Sequence, residues 1–534
     1  MASLARIGRA LAAFALLALV AGGIALVALS FLGEGDDASS EAGEALAEGP
    51  GAEPLPPGEV GTEAGAAVSD PPNIVFILAD DQTTASFTPE VMPETFSRIV
   101  EPGTSFTSFL ATPPLCCPYR AGFITGQYPH NHGVTTNRPG YSLLREPGNI
   151  LPVWLQQAGY RTAMIGRYLN KTRIALGTDA GPGWDEWYSA ELTGGYWRPS
   201  ITTNGEVRQV AGYATEIFSE RAVTFIENSA KRSDPFFVWL PHLAPHVSSE
   251  VAGPCGPASS KPKQPDYDAY AGPSLDSVVS PAFNETSVAD KPGELGRLPR
   301  LVAEERKRLQ RRWRCAVASL AAVDRGVGDV MNALERTGEL DNTIVIYGSD
   351  NGFFYGEHRL TGGKAKPYDE AWRVPFAMRV PQSVLGATPP RQVDSSLTQM
   401  DLTATLLALT GAGSCALTYE CRRLDGRSFA GILRKPGDDG WTQRRPILFE
   451  LWPDCDERDL GVRTDDFVYA QTAPECGGGD RVLYDLDRDR HQLHNLAQVR
   501  TRKGAELLQL AARLRRCSGV EGRDPRLPNV PFCS

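Results

Sequence analysis

"NIVFILADDQ", residues Asn73–Gln82, is a short, continuous apolar run that ends in two acids. A strand covered by helices on both faces has this composition, because neither face needs polar residues. Its acids, Asp80 and Asp81, fall where an open α/β sheet presents ligands, beyond the carboxyl end of the strand. "TIVIYGSDNG" (Thr343–Gly352) repeats the pattern and delivers Asp350 and Asn351. "PFFVWLPHLAPH" (Pro235–His246) does so again and ends on His246. Helix-like segments lie between these runs, at Ile150–Tyr160 and Leu301–Gly338. Strands alternating with helices predict an α/β fold with a large, mainly parallel sheet sandwiched by helices. After about residue 440 the texture changes to short strands with tight turns, "PILFELW", "VRTDDFVYAQT" and "DRVLYDLDRDRHQLHNLA", followed by a helical Ala505–Arg516. That predicts a main domain over 71–440 and a smaller C-terminal α+β subdomain over 441–534.

The 534 residues exceed what one simple core needs, in keeping with two such units. A net charge of −10 gives no general attraction to nucleic acid or to anionic lipid, so an anionic substrate requires a locally basic pocket. Ahead of the folded region, Arg6 and Arg9 precede the uncharged stretch Ala10–Leu32. It is long enough to span a bilayer core of about 30 Å, and the basic flank predicts that the rest of the chain is exported. A cleavable signal peptide over 1–32 is the alternative, and the outcome is the same: an extracytoplasmic protein, anchored by 10–32 or secreted. Residues 33–70 are acidic and rich in Pro and Gly, which predicts a disordered tether. Ten cysteines fit this location. Setting aside the adjacent pair Cys116 and Cys117 leaves eight, enough for four disulfides whose connectivity the sequence does not fix.

The strand ends offer Asp80, Asp81, Asp350 and Asn351, four oxygen-bearing side chains suited to a hard divalent cation such as Ca²⁺ or Mg²⁺. Either pair alone serves equally well as a turn-forming element. The adjacent cysteines begin "CCPYRAGFITG" (Cys116–Gly126), which fits the pattern C-x-P-x-R with Cys116, Pro118 and Arg120 in its fixed positions. With "ILADDQ", "GYRTAMIGRYLN", "APH", "SDNG", "GEHRLTGGKAKPYDEAWRVP" and "LYDLDRDRHQLHNLA" in this order, the chain resembles type I sulfatases of the alkaline-phosphatase superfamily, over roughly Pro72–Ala497. "YPHNHGV", "RYLN" and "KPYD" are most similar to glucosamine-6-sulfatases and heparan endosulfatases.

The resemblance implies a hydrolase that cleaves a carbohydrate or aryl sulfate ester to alcohol and inorganic sulfate. It implies that a formylglycine-generating enzyme oxidises Cys116 to Cα-formylglycine, whose hydrate attacks sulfur and forms a covalent sulfate ester before sulfate is expelled. Cys117 occupies a variable position, and Tyr119 stands where the family usually has a small residue. The implied metal ligands are Asp80, Asp81, Asp350, Asn351 and the modified Cys116, with Ca²⁺ favoured over Mg²⁺. Arg120 is expected to orient the formylglycine, Lys364 to bind sulfate and His246 to contact sulfate and protonate the leaving oxygen. Arg167 replaces the lysine that the family usually places between formylglycine and sulfate, a fork in place of a point charge. Asn170 follows the glucosamine-6-sulfatase pattern. His130, His132 and His358 are expected at the substrate pocket, where His130 and His132 could equally hydrogen-bond within their loop. Rival readings are a phosphoester or phosphonate monoester hydrolase on the same scaffold, and a non-catalytic surface protein that binds sulfated glycans.

Overall fold

The computed structural model describes residues 70–533 apart from 191–194, 204, 252, 436–444, 452–458 and 472–478. Residues 1–32, nearly all of 33–70 and the 440/441 boundary expected from sequence therefore lie outside the described residues. Among the described residues no helix is long and apolar enough to cross a membrane.

In chain order the strands are β1 (Asn73–Asp80), β2 (Thr104–Phe106), β3 (Phe109–Leu110), β4 (Arg161–Gly166), β5 (Glu186–Ala190), β6 (Ser200–Thr203), β7 (Glu206–Gln209) and β8 (Phe236–Pro245). They continue with β9 (Thr343–Ser349), β10 (Phe376–Arg379), β11 (Gln392–Val393), β12 (Leu397–Thr398), β13 (Ile447–Leu451), β14 (Asp459–Arg463), β15 (Phe467–Gln471) and β16 (Arg481–Asp485). The large sheet has ten strands in the order β11-β2-β10-β9-β1-β8-β4-β5-β6-β7. Its centre, β9-β1-β8-β4-β5, is parallel throughout. Toward the edges β10, β6 and β7 pair antiparallel, so the sheet is mixed around the parallel centre expected from sequence.

The apolar run of β1 is continuous because the strand faces two cores. Ile74, Phe76 and Leu78 pack into one, with helices α1 (Cys116–Thr125) and α4 (Gln399–Thr410). Val75, Ile77 and Ala79 pack into the other, with α2 (Ala214–Ser229) and α3 (Ala303–Thr337). The alternation is the period of two that a pleated strand imposes.

Register sets the site. Ala79 lies opposite Ser349 on β9, and Asp80 lies opposite Pro245 on β8. Arg167, just past β4, donates its backbone N–H to Pro241 of β8 at 2.8 Å. Four neighbouring parallel strands thus end at the same edge of the sheet, and their next residues are Asp350, Asp81, His246 and Arg167.

The C-terminal subdomain is an antiparallel sheet, β13-β14-β15-β16, with helix α5 (Thr501–Leu514) on one face. Leu448, Val462, Tyr469, Leu483 and Leu507 form its core, which Tyr128 and Met400 of the main domain complete. Disulfides join Cys255–Cys315, Cys415–Cys421 and Cys517–Cys533, while Cys116 and Cys117 are free and buried. Cys455 and Cys476 lie outside the described residues.

Candidate active site

The C-x-P-x-R spacing has a local cause. Cys116 is the first residue of α1, and Pro118 falls in the first turn, where a missing N–H costs nothing. Arg120 follows Cys116 by one helical turn and therefore projects on the same side. Asn137 Oδ1 accepts the Cys117 backbone N–H at 2.9 Å, satisfying one of the open donors of that turn.

Arg120 is fully buried between the ends of β1 and β9. Its Nη2 lies 2.7 Å from both Asp80 Oδ2 and Asp350 Oδ2, and its Nε donates to Asp350 Oδ2 at 2.9 Å. Its Nη1 donates to the carbonyls of Arg167 (2.5 Å) and Tyr168 (3.0 Å). These contacts engage all three nitrogens of the guanidinium. In this structure Arg120 thus contacts the two carboxylates and the β4 exit loop.

Arg167 pairs with Asp80 through Nη1, and its Nη2 donates to Asn170 Oδ1 at 3.4 Å. Lys364 reaches in from the loop after β9. It pairs with Asp81, lies 3.8 Å from Asp80 Oδ1 and donates to Cys116 Sγ at 2.9 Å. Cys116 Sγ is also 3.5 Å from Asp80 Oδ1. His246 donates from Nδ1 to the Val247 carbonyl at 2.6 Å, so its Nε2 faces Asp81 Oδ2 at 3.8 Å.

Burial opposes ionisation of Asp80, but Arg167, His246, Arg120 and Lys364 together hold its carboxyl below the usual range. At Asp350, burial and the nearby Asp80 charge outweigh Arg120 and raise its pKa to about 7. Burial, and then Asp80, push the Cys116 thiol far above its ordinary value, against the pull of Lys364. A thiol so placed is no thiolate nucleophile at neutral pH.

Asp80, Asp81, Cys116 and His246 each bring a ligand atom within 4.8 Å of the others, a cluster that adds a thiol and an imidazole to the acids and does not include Asp350. Asn351 Nδ2 donates to Asp81 Oδ1 at 2.6 Å, leaving two buried oxygens, Asp81 Oδ2 and Asn351 Oδ1, with no hydrogen-bond partner. Buried acceptors left bare next to ammonium and guanidinium groups are what a cation site presents. Asp81 adopts φ 72°, a left-handed turn that tips its carboxylate off the strand.

The three other histidines expected at the pocket make their hydrogen bonds in other networks. His130 bonds Glu450 Oε2 of β13 and the Cys517 carbonyl, both at 2.9 Å, and so ties the segment after α1 to the C-terminal subdomain. His132 is buried and accepts the Val134 backbone N–H on Nδ1 at 3.0 Å, the loop role. His358 bonds Glu285 Oε2 at 2.9 Å, faces Glu370 at 3.8 Å and packs 4.1 Å from the Tyr368 ring centroid. Asn137 and Tyr196, whose hydroxyl donates to the His246 carbonyl at 2.7 Å, bond the backbone at Cys117 and His246 without any motif to announce them.

A family model described as Sulfatase matches residues 72–412. An arylsulfatase from Volvox carteri is 30% identical over 508 residues, covering 86% of this chain and 77% of the relative. An N-acetylglucosamine-6-sulfatase from Capra hircus is 27% identical over 524 residues, covering 88% of each. A solved structure of a protein in complex with its substrate D-glucosamine-2-N,6-O-disulfate superimposes with a TM-score of 0.65 at 25% identity, covering 83% of this chain and 97% of that one.

The His358 network makes a pH prediction. Burial lowers the pKa of this imidazole, but Glu285 and Glu370 prevail and raise it from 6.5 to about 9. The stabilisation it contributes is complete below about pH 6.5 and is lost as pH rises through about 9. Denaturant midpoints should therefore fall between pH 6.5 and 9.5 more steeply for the wild type than for His358→Gln. Identical slopes would exclude this pairing as the source.

Proposed function

This chain belongs to the sulfatase family, the type I sulfatases of the alkaline-phosphatase superfamily, and from that premise we propose how it hydrolyses a sulfate ester. Cys116 is the nucleophile position, and Asp80, Asp81, Asp350 and Asn351 hold one Ca²⁺, with Mg²⁺ the less favoured occupant. The observation that carries this reading is the placement of Cys116 Sγ, 2.9 Å from Lys364 and 3.5 Å from Asp80, on a helix start facing a cluster of buried acids. Burial suppresses ionisation of the unmodified thiol, and the C-x-P-x-R motif supports conversion of Cys116 to Cα-formylglycine by a formylglycine-generating enzyme. That group would supply one hydroxyl to attack sulfur and a second to expel sulfate after the alcohol has left, while the cation would polarise oxygen.

The chain's own residues do the rest. Arg120 keeps Asp80 and Asp350 side by side despite their mutual repulsion. Lys364 and Arg167 bring positive charge against the sulfate oxygens. His246 Nε2, aimed at the same place by its Nδ1 bond, gives a proton to the bridging oxygen as the S–O bond breaks. Asn170 steadies the Arg167 fork. The substrate we favour is a sulfated glycan of the glucosamine 6-sulfate type, supported by the relatives and the glucosamine-disulfate complex. Three disulfides among the described residues support a site of action outside the cytoplasm, with residues 10–32 either anchoring the chain or removed.

Conversion is tested by peptide mass. The tryptic peptide containing residue 116 should be lighter than its thiol form by about 18 Da, restored by hydration. Cys116→Ala should abolish sulfatase turnover with the fold retained, whereas Cys117→Ala should be mild. Near-wild-type activity in Cys116→Ala would sink the mechanism.

Elemental analysis of the active protein should return calcium, or magnesium, in about a 1:1 ratio. Stoichiometric zinc with neither of these contradicts the assigned ligand set.

Arg167→Ala should lower kcat/KM on an aryl sulfate by at least ~10²-fold, the scale of losing one charge-stabilising donor. Arg167→Lys should keep much more. An alanine variant within about twofold of wild type removes Arg167 from the reaction.

A further inference from the structure

His246 is held almost wholly by its own backbone. Its N–H donates to the Leu243 carbonyl at 2.9 Å and its ring to the Val247 carbonyl at 2.6 Å. The direction of Nε2 is therefore only as well defined as the peptides around residue 246. Two hydroxyls from elsewhere fix those peptides: Ser260 Oγ donates to the Pro245 carbonyl, and Tyr196 Oη donates to the His246 carbonyl at 2.7 Å.

Tyr196 is built for this contact. It is fully buried, and its ring stacks on Tyr213 with centroids 5.8 Å apart. Its backbone N–H donates to Glu250 Oε2 and its carbonyl accepts from the Ala214 N–H, both at 2.8 Å. A phenol buried this deeply needs a partner, and the carbonyl of the histidine is the one it has found.

We propose that Tyr196 is a positioning residue of the sulfatase reaction, aiming His246 Nε2 at the bridging oxygen through the hydrogen bond to the His246 carbonyl. This rests on the reading of His246 as the proton donor to the leaving group. The proton passes from Nε2 to the bridging oxygen as the S–O bond breaks, leaving a neutral alcohol and a neutral imidazole. Tyr196 touches neither of the reacting atoms. Losing it should therefore matter in proportion to how much the leaving group needs the proton.

The test compares kcat and KM for phenyl sulfate and 4-nitrophenyl sulfate, the second having the better leaving group, on the metal-loaded, converted enzyme. Tyr196→Phe keeps the ring stack and removes only the hydroxyl. It should lower kcat on phenyl sulfate about tenfold and on 4-nitrophenyl sulfate less than about threefold, with KM for both within about twofold. His246→Ala should show the same discrimination, more strongly. Equal losses on both esters, or none, in a Tyr196→Phe protein with an unchanged unfolding midpoint overturn the proposal. If His246→Ala itself fails to discriminate, the proton-donor reading falls and takes the proposal with it. If His246→Ala discriminates and Tyr196→Phe does not, only the role of Tyr196 falls. Should Tyr196→Phe not fold, Ser260→Ala, which frees the adjoining carbonyl, is judged by the same two rates.

Discussion

The structure turns on one guanidinium shared by two buried carboxylates. Asp80 and Asp350 end adjacent parallel strands, so their charges are forced together by the register of β1 against β9. Two unscreened carboxylates at that spacing would not both stay ionised in a dry interior. Arg120 eases the conflict with one nitrogen 2.7 Å from each, placed there by α1, which starts at the strand ends. The rest follows from the surplus charge. Arg167 and Lys364 balance the remaining carboxylate oxygens, and the bare oxygens of Asp81 and Asn351 are left for a cation.

This cluster explains why a sheet of mixed polarity has a strictly parallel centre. Parallel strands deliver their carboxyl ends, and the loops that follow, to one edge; antiparallel neighbours would alternate them. β9, β1, β8 and β4 each place at least one polar residue of the cluster at or just past the last ladder position. The antiparallel strands β10, β6 and β7 lie outside this set, where direction has no bearing on the site.

What the sequence made legible is what depends on local pattern. The double-faced apolar runs of β1, β8 and β9 announced buried parallel strands, and the structure brings the polar residues that end them together. Cys116 and Arg120, four residues apart on one helix, were legible for the same reason. His130 and His358 were not, because a histidine in a loop carries no mark of its partner. Glu450 lies 320 residues beyond His130, and Glu285 lies 73 residues before His358. Tyr196 was illegible for a related reason: its hydroxyl serves a main-chain carbonyl, which leaves no trace in residue type. The pairings Cys415–Cys421 and Cys517–Cys533 join near neighbours, whereas Cys255–Cys315 depends on how the loop after β8 folds back onto α3.

The adjacent cysteines show how one helical step separates two fates. Successive residues of a helix point about 100° apart, so Cys116 and Cys117 cannot share surroundings. Cys116 turns toward Asp80 and Lys364, the charged side of α1. Cys117 lies in the apolar core that also holds Tyr119 and Phe123, where burial raises its thiol pKa to about 12 against the pull of Asn170, Arg120 and Arg167. A thiol held there behaves as a small apolar side chain. Only the first cysteine of the pair contacts Asp80 and Lys364, and that difference in direction is what supports residue 116 over residue 117 as the reactive position.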